Sequence, residues 1–104
     1  MITDVNILNF ASEVLQAESP VLLDFYATWC GPCKILSEQL EAFANDHAEY
    51  KVCRLDVDET TELATMYGIM SVPTLVLFKD GKEVSRLVGA QMKDAIEKFC
   101  ELNK

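Results

Sequence analysis

A chain of 104 residues, half of them hydrophobic and a quarter charged, with 4 glycines and 3 prolines, has the make-up of one globular domain spanning residues 1–104. A domain of this length buries roughly 65% of its unfolded surface, enough for a core without covalent staples. The formal charge of −8, with no basic run, excludes nucleic acid as a partner and favours a soluble monomer.

The opening residues, MITDVNILNFASEV, lack the positive stretch and apolar run of a secretory signal. No apolar segment approaches the ~18 residues of a membrane span. Both point to the cytoplasm and away from a membrane. Lasting disulfides are uncommon there, and a cysteine pair is more often catalytic or metal-binding.

In chain order, Asn6 or Asn9 caps a first helix with Phe10, Val14 and Leu15 on one face, running to about Ala17. Ser19-Pro20 breaks it. VLLDFYA, Val21–Ala27, is nearly all apolar, the pattern of a central strand covered on both faces. Ile35, Leu36, Leu40, Phe43 and Ala44 recur at helical spacing, so a helix follows the cysteines out to about His47. Tyr50–Asp58 reads as a second core strand, and Thr60–Gly68 as a short helix with Gly68 just past its end. Val72-Pro73-Thr74 leads into the strand TLVLFK, Asp80-Gly81 marks a hairpin turn, and KEVSRLVG returns. Gln91–Leu102 closes the chain as a helix striped by Met92, Ala95, Ile96 and Phe99. The order reads βαβαβαββα, although the opening strand has no residue range of its own. Helical crossovers imply parallel pairing early and the Asp-Gly turn antiparallel pairing late, giving an α/β mixed sheet with helices on both faces.

Cys30 and Cys33, separated by Gly31-Pro32 and preceded by the only tryptophan, Trp29, are a staple, half a zinc site or a redox pair. A four-residue loop removes little entropy from the unfolded chain, which weakens the staple. Zinc requires four ligands, and Cys53, Cys100 and His47 supply no second pair at ligand spacing; no metal is expected. The redox reading has a positive argument. The pair sits where a buried strand gives way to a helix, and the helix N-terminus stabilises a thiolate, most of all at Cys30. Pro32 in the first turn stiffens the loop without the loss of a hydrogen bond.

Asp24 interrupts the apolar strand, where an ionised group is expensive to bury. It lies either on an edge or bulge that reaches solvent, or buried with a raised pKa, placed to exchange a proton with the sulfur chemistry.

Trp29-Cys30-Gly31-Pro32-Cys33 after an apolar strand with a lone Asp, then VPT before a strand, then a late VGA, resembles the thioredoxin family over essentially the whole chain. The resemblance implies a thioredoxin fold, a central mixed five-stranded sheet flanked by four helices. It implies a dithiol–disulfide oxidoreductase that reduces substrate proteins through a reversible Cys30–Cys33 disulfide, with no other cofactor. Its partners would be disulfide-containing proteins and a thioredoxin reductase. Cys30 would be the attacking, solvent-facing thiolate, Cys33 the buried resolving thiol, and Asp24 the acid/base for Cys33. Pro73 would be a cis-proline against the disulfide, leaving the Val72 backbone free to pair with a substrate strand. Trp29, Gly31, Pro32 and Val57 would form the apolar contact surface with Val72, Gly89 and Ala90, and Asp58 would sit near the tryptophan N–H.

Three positions depart from the family's pattern: Arg54 replaces a lysine near the buried aspartate, Ser37-Glu38 a mid-helix proline, and Tyr26 a second tryptophan. Arginine stays charged and is less able to relay a proton. A helix without the proline is straighter. The extra Cys53 and Cys100 read as small core residues, and His47 as a solvated side chain favoured by a helix C-terminus. An oxidase or isomerase of the same fold, and a binding module that needs neither sulfur, are the rival readings; the central Gly-Pro resembles the reducing members.

Overall fold

The computed structural model describes residues 1–104. Its five strands are β1 (Thr3–Val5), β2 (Val21–Tyr26), β3 (Lys51–Asp56), β4 (Thr74–Lys79) and β5 (Lys82–Val88). A π-helical segment, Ala11–Leu15, and three α-helices, α1 (Gly31–Asp46), α2 (Thr61–Met66) and α3 (Lys93–Leu102), complete the chain. The sheet runs β1-β3-β2-β4-β5, parallel among β1, β3 and β2 and antiparallel from β2 to β4 to β5. This is the expected five-stranded mixed sheet with four helical pieces, the thioredoxin fold.

The apolar run of β2 makes it the middle strand, buried on both faces over Val21–Phe25. Alternate residues feed two cores. Leu22 faces α1 and α3, joining Leu36, Leu40, Phe43, Ile96 and Phe99. Leu23 faces the other way, joining Phe10, Val14, Leu63 and Phe78. Cys53 lies in the second layer and Cys100 in the first, both free and buried, and burial pushes each thiol up to about 11. Their reading as core residues holds.

Four local expectations need correction. The first helix is shorter than its pattern, because Asn6 organises a turn before it: its side chain accepts from the N–H of Leu8 at 2.8 Å and of Asn9 at 3.3 Å. Leu15 is exposed, so Phe10 and Val14 carry that face. Ile35 and Met92 are likewise exposed; the buried rows are Cys33, Leu36, Leu40 and Phe43 on α1 and Ile96, Phe99 and Cys100 on α3. His47, the C-cap of α1, is not simply solvated: its ring stacks on Phe43 and its Nε2 lies 2.6 Å from Glu97 Oε2.

The hairpin turn is as expected, with Asp80 at φ 52° and Gly81 at φ 78°. Gly81 also packs closely: a Cβ there would stand 2.8 Å from the carbonyl oxygen of Leu15. Gly68 at φ 63° ends α2 as anticipated.

Candidate active site

β2 ends at Tyr26, and a short turn carries the chain to Cys30, the N-cap of α1. Its backbone is extended while Gly31 begins the helix, so Sγ reaches back over the first turn and accepts the N–H of Cys33 at 3.2 Å. Pro32 sits in that turn, where no intrahelical donor is missed. Cys30 and Cys33 are joined in a disulfide, with 5.3 Å between their Cα atoms. The bonded pair closes a short loop, with three residues of sequence separation, and no three His, Cys, Asp or Glu side chains are gathered to hold a metal ion.

Exposure does not separate the two sulfurs as the resemblance implied. Cys30 is 5% exposed and Cys33 3%, so the oxidised Cys30 is not solvent-facing. Surroundings separate them instead. Cys30 is flanked by exposed Trp29, Gly31 and Pro32, and its Sγ lies 3.8 Å from the carbonyl oxygen of Val72. Cys33 opens into a recess of about 350 Å³ on the opposite side, shared with Asp24, Lys34, Ser37, Glu38 and Arg54.

The Val72–Pro73 peptide is cis, and Pro73 is buried beside the disulfide loop. Gly89, at φ 93°, donates its N–H to the Pro73 carbonyl at 2.8 Å, tying the end of β5 to this loop. The N–H and C=O of Val72 have no backbone partner. Trp29 is 72% exposed, and its ring N–H donates to Asp58 Oδ2 at 2.8 Å, the neighbour expected for Asp58. Trp29, Val57 and Val72 line a shallow groove of about 210 Å³ together with Ile69, Met70 and Ser71. The sequence reading missed Ile69 and Met70. Their signal was two adjacent apolar residues between the end of a helix and a Pro-led strand; Ile69 packs partly against the core, but Met70 is exposed and burial does not call for it. Ala90 is exposed just beyond Gly89.

Asp24 is 2% exposed on the central strand, so the edge or bulge alternative is excluded. Its Oδ1 is buried without a hydrogen-bond partner. Loss of hydration drives its pKa up to about 7, against a smaller downward pull from Arg54. Arg54 faces Asp24 across β2–β3 and Asp4 across β1–β3. Its Nε donates to Asp4 Oδ1 at 2.6 Å, and its guanidinium lies over the Tyr26 ring, 5.3 Å from the centroid. Ser37 and Glu38 line the recess from α1, which runs unbroken through them for 16 residues.

Comparison with known proteins agrees with this geometry. The family model described as Thioredoxin matches residues 1–102. A thioredoxin of Alicyclobacillus acidocaldarius is 45% identical over 97 residues, covering 92% of this chain and 89% of the relative. A thioredoxin of Mycobacterium tuberculosis is 49% identical over 89 residues, covering 85% of this chain and 77% of the relative. A bifunctional thioredoxin reductase/thioredoxin of Mycobacterium leprae is 43% identical over 94 residues, covering 89% of this chain and 20% of its own length. With a disulfide-bonded cysteine pair at the head of a helix, a family model over residues 1–102 and thioredoxins 45% and 49% identical over most of the chain, this protein belongs to the thioredoxin family and is a thiol–disulfide oxidoreductase.

Proposed function

We propose the following division of labour for the reduction of protein disulfides. A substrate strand lies beside the disulfide loop and pairs with the open N–H and C=O of Val72, while its side chains rest on Trp29, Val57, Ile69 and Met70. The reduced Cys30 thiolate, favoured by the N-terminus of α1 and the Cys33 N–H, attacks one substrate sulfur. A Cys30–substrate disulfide forms and the second substrate sulfur leaves as a thiolate, which takes a proton. Cys33 then loses its proton to the Asp24 carboxylate through water in the shared recess and attacks Cys30. The Cys30–Cys33 bond forms, the first substrate sulfur leaves, and two electrons have passed to the substrate. Gly31, Pro32, Gly89 and Ala90 shape the rim without a chemical role.

The observation that carries this reading is that Asp24, with a buried carboxylate oxygen left unpartnered, lines the same recess as Cys33. A carboxyl that titrates about 7 holds either form in the neutral range, as a proton acceptor and donor must. The chain acts as one domain over residues 1–104, as a monomer in the cytoplasm, and needs no cofactor besides its own disulfide. A thioredoxin reductase returns the electrons, a pairing supported by the relative whose name joins the two activities. No helix is long and apolar enough to cross a membrane.

The test is a trapping experiment. Cys33→Ser stalls as a mixed disulfide on Cys30 that mass spectrometry detects, and Cys30→Ser forms none. Release of substrate by Cys33→Ser at the native rate would break the assignment. Equilibration of the Cys30–Cys33 couple with glutathione distinguishes reductant from oxidant.

A further inference from the structure

An acid–base–acid row crosses three strands on the face that carries α1. Asp4 on β1, Arg54 on β3 and Asp24 on β2 are direct register partners, so their side chains leave the same side of the sheet with Arg54 in the middle. One cation therefore has two carboxylates within reach of its own strand. It engages only one. Arg54 Nε donates to Asp4 at 2.6 Å, its plane lies over Tyr26, and Asp24 Oδ1 is left with no partner although it is the buried member of the row. A buried carboxyl with a neighbouring guanidinium ordinarily forms a charge-assisted pair. Its absence requires a reason, and the exposed Asp4 supplies one.

We infer that Asp4 is a positioning residue for the exchange reaction: it holds the Arg54 guanidinium over Tyr26 and off Asp24, so that the Asp24 carboxyl remains free to pass a proton to and from Cys33. This deepens, and rests on, the proton role proposed for Asp24. The other charged and titratable groups facing the row fit it. Lys34 and Glu38 from α1, with Tyr26 and Cys33, line the Asp24 side, and Asp56 and Glu59 join Asp4 in a recess of about 310 Å³ on the outer side of Arg54. Asp4 is the acidic side chain of that recess that pairs with the cation. Only Asp4 hydrogen-bonds it.

Asp4 is a suitable place for the test because its side chain is 74% exposed on an edge strand, where substitution leaves the fold intact. The Asp24 carboxyl is followed by carbon-13 NMR against pH in the reduced full chain, and single-turnover resolution of a mixed disulfide is measured in parallel. In Asp4→Asn, Arg54 swings to Asp24, and the Asp24 midpoint falls by about one pH unit or more, the effect of an opposite charge in contact. The pH at which resolution is half-maximal falls with it. Asp4→Glu, which restores the partner, returns both midpoints toward the native values.

Loss of the Asp4 carboxylate also acts on Asp24 directly through space, and Arg54→Gln separates the two effects. In that background only the direct effect remains, so Asp4→Asn lowers the Asp24 midpoint by clearly less than it does with Arg54 present. An unmoved midpoint in Asp4→Asn, or the same fall with and without Arg54, overturns the inference. The rate profile of Asp24→Asn answers separately for the underlying reading: unchanged rates across neutral pH remove the proton role of Asp24, whereas the NMR midpoint still decides where Asp4 keeps Arg54.

Discussion

The two ends of α1 hold similar ingredients and do opposite things. At the N-terminal end are Cys30, Cys33 and the buried Asp24; at the C-terminal end are His47 and, from neighbouring elements, Glu97, Tyr50 and Cys100. The far end is stitched shut. His47 Nε2 meets Glu97, Lys93 pairs with Asp46, and the Lys93 N–H reaches Gln39 Oε1 at 2.8 Å. Cys100 there is buried with its thiol pushed up, the environment of an inert sulfur. At the near end the Cys33 N–H donates to Cys30 Sγ, and the buried Asp24 has a carboxylate oxygen without a partner. On the proposed mechanism, what distinguishes the reactive cysteines from the structural ones is not burial, which all four share, but helix polarity and the unmet demand of a nearby acid.

The comparison is broken most directly by exchanging sulfurs for oxygens at both ends. Cys30→Ser reduces protein-disulfide reduction to background, whereas Cys100→Ser and Cys53→Ser leave the rate within about twofold of native. Assay with a dithiol donor and a protein disulfide substrate reads both. A large loss from Cys100→Ser in folded protein would mean that the ends are not chemically distinct.

Asp24→Asn comes next. The folded-state pKa of Asp24, about 7, lies above its ordinary value of 3.8, so the folded chain holds a proton that the unfolded chain releases. That contribution is complete below about pH 4 and is lost as pH rises through 7. The asparagine variant is therefore more stable than native above pH 7, by up to about 4 kcal/mol, an advantage that shrinks toward zero in acid. Resolution of the mixed disulfide slows by up to ~10²-fold near neutral pH, the scale of a lost proton acceptor. Denaturant melts at pH 4 and pH 9 check the first effect, and single-turnover kinetics the second.

A smaller effect belongs to the groove. Met70→Ser removes an apolar contact from a residue with no part in the chemistry and raises KM by about fivefold at unchanged kcat, equivalent to about 1 kcal/mol. The smallest lies at the far end. The hydrogen bond to Glu97 raises the pKa of His47, so the stabilisation is full below the ordinary imidazole value and fades as pH rises through the folded value. His47→Gln is destabilised by less than about 1 kcal/mol, more at pH 5 than at pH 9, with disulfide reduction unchanged.

Much of the reactive end was legible because its chemistry is local. Two cysteines i and i+3 at a strand-to-helix junction and one acid inside an apolar strand are short-range patterns, and β2, β4 and the Asp80-Gly81 turn lie where the sequence placed them. Pro73 and Gly89 stood out only through family resemblance, because a proline before a strand and a glycine after one have ordinary explanations. The Asp4–Arg54 contact was out of reach: it depends on parallel pairing of β1 and β3, and a strand of three residues carries too little alternation to announce itself. Leu15, Ile35 and Met92 were placed on buried faces because each stands at the border of an apolar stripe, where helical spacing does not say which side the neighbour covers. The end of α1 at His47 was legible as a boundary but not as a cluster, since Glu97 comes from the last helix.

Gly81 has a bearing on how the protein tolerates engineering. Surface hairpin tips are ordinarily the first choice for inserting a peptide or opening a chain. Here the tip rests on the backbone of Leu15 with no room for even a methyl group. The β4–β5 turn is thus closed to insertion, although it lies far along the chain from Cys30 and Cys33 and looks expendable in the sequence.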